Sequence, residues 1–188
     1  NVDALDKEIN GARVDAIIIN ASGCGTALKD YGFMLRTDPT RADVAKKISG
    51  LARDVSEYID ELGGFTPDYP QHLKVTYQSA CSLQHGQKVK TAPVKLLTSG
   101  GFTVAEPTEA HLCCGSAGTY NITQPEISDQ LRRRKVENIV RTSPDLVATG
   151  NVGCLIQLQA ALDVPIVHTV ELLDWVSGGP TPKALGKK

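Results

Sequence analysis

The chain has 188 residues, 41% hydrophobic and 22% charged, with a formal net charge of −1. That profile fits a globular polypeptide of one domain or two small ones, long enough to bury a core without disulfide staples. A near-neutral balance and 5% aromatic content exclude the basic footprint and stacking platform of a nucleic-acid binder.

The first element in chain order is "RVDAIIINA" (13–21), a β-branched run of strand length. It breaks at "SGCG", a turn-like stretch that sets Cys24 just past the strand exit. From Thr40 to Leu62, Val44, Ile48, Leu51, Val55, Tyr58, Ile59 and Leu62 fall at helical spacing. One amphipathic helix is expected there, tolerating Gly50 and ended by Gly63-Gly64. "LKVTYQSAC" (73–81) alternates as a strand with Cys81 at its end, and "FTVAEPTEAHLCCG" (102–115) starts as a strand that Pro107 turns towards Cys113 and Cys114. Helical spacing returns over 125–142 through Ile127, Leu131, Val136, Ile139 and Val140, with Pro125 near the start. The "RRRK" run at 132–135 reads as the solvated face of that helix. "PDLVATGNVGC" (144–154) is a strand passing into glycines, and 155–162 is a helix opening directly after Cys154. Residues 164–176 are a strand followed by a last helix, with His168 and Trp175 in core or interface positions; 177–188 is a frayed loop.

Strands alternating with helices predict an α/β fold, a mainly parallel Rossmann-like sheet with helical crossovers. Cys24, Cys81, Cys113, Cys114 and Cys154 then all lie at or beyond carboxyl ends of strands, the edge where open α/β sheets bind ligands. Five cysteines make an odd number and no export signal accompanies them, so a disulfide framework is not expected. An internal repeat supports a shared site. "VDAIIINASGCG" (14–25) and "PDLVATGNVGCL" (144–155) have the same separation from Asp15 to Cys24 as from Asp145 to Cys154. Several thiolates brought together hold an iron–sulfur cluster or a tetrahedral zinc. Gly25, Gly115, Gly118 and Gly153 would let backbone N–H groups approach the sulfurs, and His85 and His111 are candidate neighbouring ligands or proton carriers. The longest apolar run, around "DAIII" (15–19), is far below the roughly 20 residues that cross a bilayer. A cytoplasmic protein is expected, or one peripheral on the inner face of the cell membrane.

"YQSACSLQHGQKVK" (77–90), "HLCCGSAGTYNITQPEIS" (111–128) and "GNVGCLIQLQ" (150–159) together resemble the cysteine-rich CCG domain. That domain occurs, usually in tandem, in the heterodisulfide reductases and in the iron–sulfur subunits of lactate-utilisation, anaerobic glycerol-3-phosphate dehydrogenase and glycolate oxidase systems; the likeness is greatest to the last. The resemblance implies three stretches: 1–65, the remainder of a first CCG unit; 66–176, a second unit; and 177–188, a flexible tail. The missing initiator Met fits a carboxy-terminal fragment. It also implies Cys81, Cys113, Cys114 and Cys154 as cofactor ligands, with Cys24 a further metal ligand from the first unit. Asn151 in "NVGC" and Ala21 in "ASGC" replace the first cysteine of the Cys-x-x-Cys that closes such units in the heterodisulfide enzymes. Four thiolates still suffice for one [4Fe-4S] cluster, with zinc as the alternative. Gln78 stands where relatives often carry His. The implied function is electron transfer within a flavin-dependent glycolate (2-hydroxy acid) oxidase complex, with no catalysis by this subunit alone. A flavoprotein partner would carry the flavin, and a quinone or other membrane acceptor would take the electrons. Alternatives are a zinc-stabilised assembly module or a thiol/disulfide reductase-type subunit.

Overall fold

The computed structural model describes residues 1–186, and every strand pair in it is parallel. Strands β1 (Ile17–Ile19) and β2 (Ala52–Asp54) form one small sheet. Strands β3 (Lys74–Tyr77), β4 (Thr103–Ala105), β5 (Leu146–Thr149) and β6 (Ile166–His168) form a second, in the order β4-β3-β5-β6. Helices α1 (Val2–Gly11), α2 (Ser22–Met34), α3 (Ala42–Leu51) and α4 (Val55–Glu61) accompany the first sheet in sequence. A π-helical segment (Ser82–Gln87), then α5 (Ala92–Ser99), α6 (Tyr120–Thr123), α7 (Pro125–Val140), α8 (Val152–Gln159) and α9 (Thr169–Val176) accompany the second. Among the described residues no helix is long and apolar enough to cross a membrane.

Successive strand residues point to opposite faces of the larger sheet, and each face is buried by its own helices. Val75, Tyr77, Leu146, Ala148 and Val167 meet Leu96 and Leu97 of α5 and Leu172, Leu173 and Val176 of α9. Val147 and Ile166 meet Ile139 of α7 and Leu158 of α8, in a cluster that also contains Cys114 and Cys154. Each fully buried aliphatic side chain contributes about 1.5–3 kcal/mol, so these two layers hold the sheet. The chain leaves β3 for the outer strand β4 and leaves β5 for the outer strand β6, in opposite directions. The carboxyl ends of β3 and β5 therefore flank the crevice of a topological switch point.

The internal repeat extends beyond the short motif. Cys24 and Cys154 occupy equivalent places in the first turns of α2 and α8. In each half the last strand pair, Ile19 with Asp54 and Thr149 with His168, ends on the residue that caps the next helix. Asp54 Oδ1 accepts from the Ser56 N–H at 2.9 Å, and Glu57 accepts from the Asp54 N–H at 3.1 Å. His168 Nδ1 accepts from the Val170 N–H at 3.2 Å, and Glu171 accepts from the His168 N–H at 3.1 Å. Both are reciprocal capping boxes. The Ser22 N–H donates to the Gly150 carbonyl at 3.3 Å, which brings the two Gly-Cys strand exits together.

Four expectations need correction. The single helix over 40–62 is two helices with β2 between them; Ala52–Asp54 pairs with β1 and Asp54 then caps α4. The "SGCG" stretch is not a turn but the start of α2, where the missing side chain of Gly25 leaves room for Gln87. The helix after β5 opens at Val152, so Cys154 lies inside its first turn. Finally, the "RRRK" run is not uniformly solvated: Lys135 is 1% exposed, whereas Ile127 and Val140 of the expected apolar stripe are exposed. Of the expected tail, Lys187 and Lys188 lie outside the described residues, and Leu185 packs against the core.

Candidate metal centre

Four of the five cysteines meet at the switch point. Cys81 follows β3 and directly precedes the π-helical segment; Cys113 and Cys114 lie in the loop between β4 and α6; Cys154 follows β5. Their sulfurs stand as neighbours in a row, each close enough to shift the proton affinity of the next: Cys81 with Cys113, Cys113 with Cys114, and Cys114 with Cys154. Cys114 and Cys154 are buried and the other two partly so. A recess of about 400 Å³ opens beside them, lined by Cys81, Cys114, Cys154, Ser116, Asn151 and Gly153. Cys24 does not join them. It is exposed on α2, and only its neighbour Gly23 reaches the recess.

Polar hydrogens point at these sulfurs. The Gly115 N–H donates to Cys113 Sγ at 3.3 Å, and Asn151 Nδ2 donates to Cys154 Sγ at 3.4 Å. Backbone N–H groups of Ser82, Ala117 and Ser116 approach Cys81, Cys113 and Cys114 respectively. The Cys113 thiol is held below the ordinary thiol range, first by its contact with Cys114, then by Cys81 and the backbone donors. Cys154 is lowered likewise, first by Cys114, and Asn151 assists. Cys81 and Cys114 move the other way, because each is held as a proton donor to Cys113 and burial adds to the shift. Among the described residues no group of three or more His, Cys, Asp or Glu side chains is arranged as a cage for a single ion. The chemistry of the donor set, four soft sulfurs with N–H donors around them, fits a thiolate-bound iron–sulfur cluster.

The loop is fastened from the other side through its carbonyls. Lys135 Nζ donates to the carbonyls of Glu109 at 3.1 Å and Ala110 at 3.2 Å. Gln84 Nε2 donates to the Ala110 carbonyl at 3.0 Å, and the His85 ring meets the His111 carbonyl at 3.0 Å. Both His85 and His111 are exposed, and His85 is engaged with backbone. Beyond the cysteines, Ser128 Oγ donates to the Gly115 carbonyl at 2.8 Å and accepts from Gln157 Nε2 at 2.9 Å. Gln78, buried below the site, accepts from Thr149 and donates to the Ser79 carbonyl, so its amide is structurally satisfied. Burial lowers the Lys135 ammonium from the ordinary lysine range, while the neighbouring sulfurs of Cys114, Cys113 and Cys154 oppose that shift. Lys135 and Asn151 are the two site residues whose roles residue type alone did not reveal. The signal for Lys135 was its register: Leu131, Lys135 and Ile139 stand four apart on one face of α7.

Residues 75–159, from β3 through α8, match the family described as Cysteine-rich domain, CCG. That span contains all four sulfurs of the row. Over 180 residues the chain is 30% identical to lactate utilization protein A of Oceanobacillus iheyensis, covering 91% of this chain and 73% of that protein. The chain belongs to the cysteine-rich CCG domain family. Other members resemble it more closely over a smaller share of their length. The glycolate oxidase iron-sulfur subunit of Escherichia coli is 37% identical over 174 residues, 93% of this chain and 42% of that protein. The probable glycolate oxidase iron-sulfur subunit of Bacillus subtilis is 34% identical over 178 residues, 89% of this chain and 40% of that protein. This CCG chain thus spans about two fifths of the length of those two relatives.

Proposed function

We propose that this CCG chain is the cluster-holding part of an iron–sulfur electron-transfer subunit in a glycolate oxidase-type complex. Cys81, Cys113, Cys114 and Cys154 are its thiolate ligands, and the group they hold is a [4Fe-4S] cluster. The observation that carries this reading is the contiguous row of four sulfurs at the β3/β5 crevice, ringed by N–H donors. Relatives named as iron–sulfur subunits support the choice of iron over zinc. When bound, such a cluster supplies a one-electron redox centre whose potential rises with hydrogen bonds to its sulfurs. The chain's own residues hold the ligands, donate those hydrogen bonds and bury two of the thiolates on the sheet.

In the complex, glycolate loses two electrons and two protons as it becomes glyoxylate, and a flavin on a partner subunit accepts them. The CCG subunit then passes the electrons singly towards a quinone or other membrane acceptor. Cys24 lies outside the ligand set in this reading.

Anaerobic reconstitution followed by iron, sulfide and zinc analysis, with EPR after dithionite reduction, tests the proposal. A reducible signal with equal iron and sulfide is expected, lost in Cys113→Ser and Cys154→Ser and retained in Cys24→Ser. Stoichiometric zinc without an EPR signal would overturn the cluster, and iron unchanged in Cys154→Ser would overturn the ligand assignment. Copurification of the full-length subunit with a flavoprotein tests the partner.

A further inference from the structure

Lys135 is the most deeply buried charged side chain away from the cysteines, at 1% exposure on the inward stripe of α7. Its ammonium meets only neutral acceptors, the carbonyls of Glu109 and Ala110. The Glu109 carboxylate, the nearest acidic candidate, is held instead by Arg134 and Asn138. A buried cation without a carboxylate is costly, and an apolar side chain of similar length would fill the same space without that cost. Packing therefore does not account for a lysine here. What surrounds the site does. The two carbonyls belong to the residues leading into Cys113 and Cys114, and Cys154 packs in the same cluster as Ile139, one turn along α7 from Lys135.

We infer that Lys135 is a built-in counter-charge and positioning residue of the thiolate centre: it fastens the 109–114 loop by two carbonyls and balances the negative charge of the bound thiolates. This rests on the proposed function for the cluster, though its logic holds for any thiolate-bound metal. The same loop runs on into the Gly115 and Ser116 N–H groups that approach Cys113 and Cys114. A fixed positive charge beside an anionic centre favours its more negative, reduced state. Removing the charge should lower the reduction potential.

The test compares Lys135→Met, which keeps the stem and drops the charge, with Lys135→Gln, which keeps an N–H donor and drops the charge, in the full-length subunit. Thermal unfolding of the metal-free proteins and iron content establish that each variant folds and loads. EPR-monitored redox titration should then show at least a tenfold fall in the one-electron reduction equilibrium constant, 59 mV, in both variants. A wild-type potential in both overturns the inference. A fall in Lys135→Met with a wild-type value in Lys135→Gln also overturns it, because hydrogen bonding and not charge would then be the cause. If wild type holds only zinc, the cluster reading fails and the lysine is read by chelator competition. At least tenfold weaker zinc retention in both variants then upholds the counter-charge, and equal retention overturns it.

Discussion

Gly115 follows the double cysteine at φ +94°, a region L side chains rarely adopt, and it sits hard against α7. A methyl group built there would lie 2.4 Å from the Ser128 carbonyl oxygen and 3.1 Å from both Ser128 Oγ and Gln157 Nε2. The carbonyl is helix backbone and cannot step aside alone, so Gly115→Ala must push the loop away from α7. Three costs combine. The backbone conformation costs about 1–2 kcal/mol for an L residue. Overpacking against α7 costs about 1–3 kcal/mol. Loss of the Ser128 hydroxyl bond to the Gly115 carbonyl costs about 1 kcal/mol. The sum is centred on about 4.5 kcal/mol, which for a chain of this size lowers Tm by about 9–18 °C. Gly118 is the internal control: its φ is also positive, +68°, but nothing lies within 4 Å of a methyl group there. Gly118→Ala should cost only the backbone share, about 1 kcal/mol. Both variants are measured metal-free and reduced, by circular dichroism during thermal and urea unfolding, so that loss of metal does not enter the comparison. Values for the two within about 1 kcal/mol of each other would refute the claim that contact with α7 dictates glycine at 115.

Asn151→Ala removes the amide donor to Cys154 Sγ, and the reconstituted cluster is expected at a lower reduction potential with its iron content kept. An unchanged potential in redox titration would show that this donor plays no part. Asp54→Ala and His168→Ala each remove the side-chain half of a capping box, and each is expected to cost about 1–2 kcal/mol in urea unfolding. Asp54 also accepts from the Ser56 hydroxyl at 2.5 Å, so its loss should be the larger of the two.

The gathering of four cysteines at one sheet edge was legible because cysteine is rare and its positions mark strand exits one after another. β3, β5 and β6 could be read as strands because Val75, Val147 and Val167 sit in short β-branched runs beside turn residues. β2 could not. Ala-Arg-Asp has no strand propensity, and three residues are too few to disturb the helical spacing on either side; only pairing with Ile17–Ile19 makes it a strand. The first turn of α2 was hidden for the opposite reason, since serine and two glycines around Cys24 favour turns locally and are helical here through packing against α3 and the π-helical segment. Lys135 was legible by register and misread by type: charge suggested solvent, while Leu131 and Ile139 on either side placed it inward. A periodicity that includes a lysine is a reason to look for what the charge serves.

The two Gly-Cys helix starts show how little of the cysteine row resides in its local motif. Cys24 and Cys154 follow parallel strands, fall at the same place in a helix's first turn and lie beside each other's strand exits through the Ser22–Gly150 hydrogen bond. Yet Cys154 is 2% exposed, accepts from Asn151 and neighbours Cys114 in the row, whereas Cys24 faces solvent. The difference lies in what other strands deliver to the same point. For Cys154 the β3 exit brings Cys81 and the β4 loop brings Cys113 and Cys114; among the described residues no other cysteine is brought to Cys24. Long-range topology, acting through the opposite departures of the chain from β3 and β5, brings one of two similar helix starts into the buried row of sulfurs. A cysteine placed at Asn151 would therefore be expected to join the buried row, and one placed at Ala21, its counterpart before Cys24, would remain outside it.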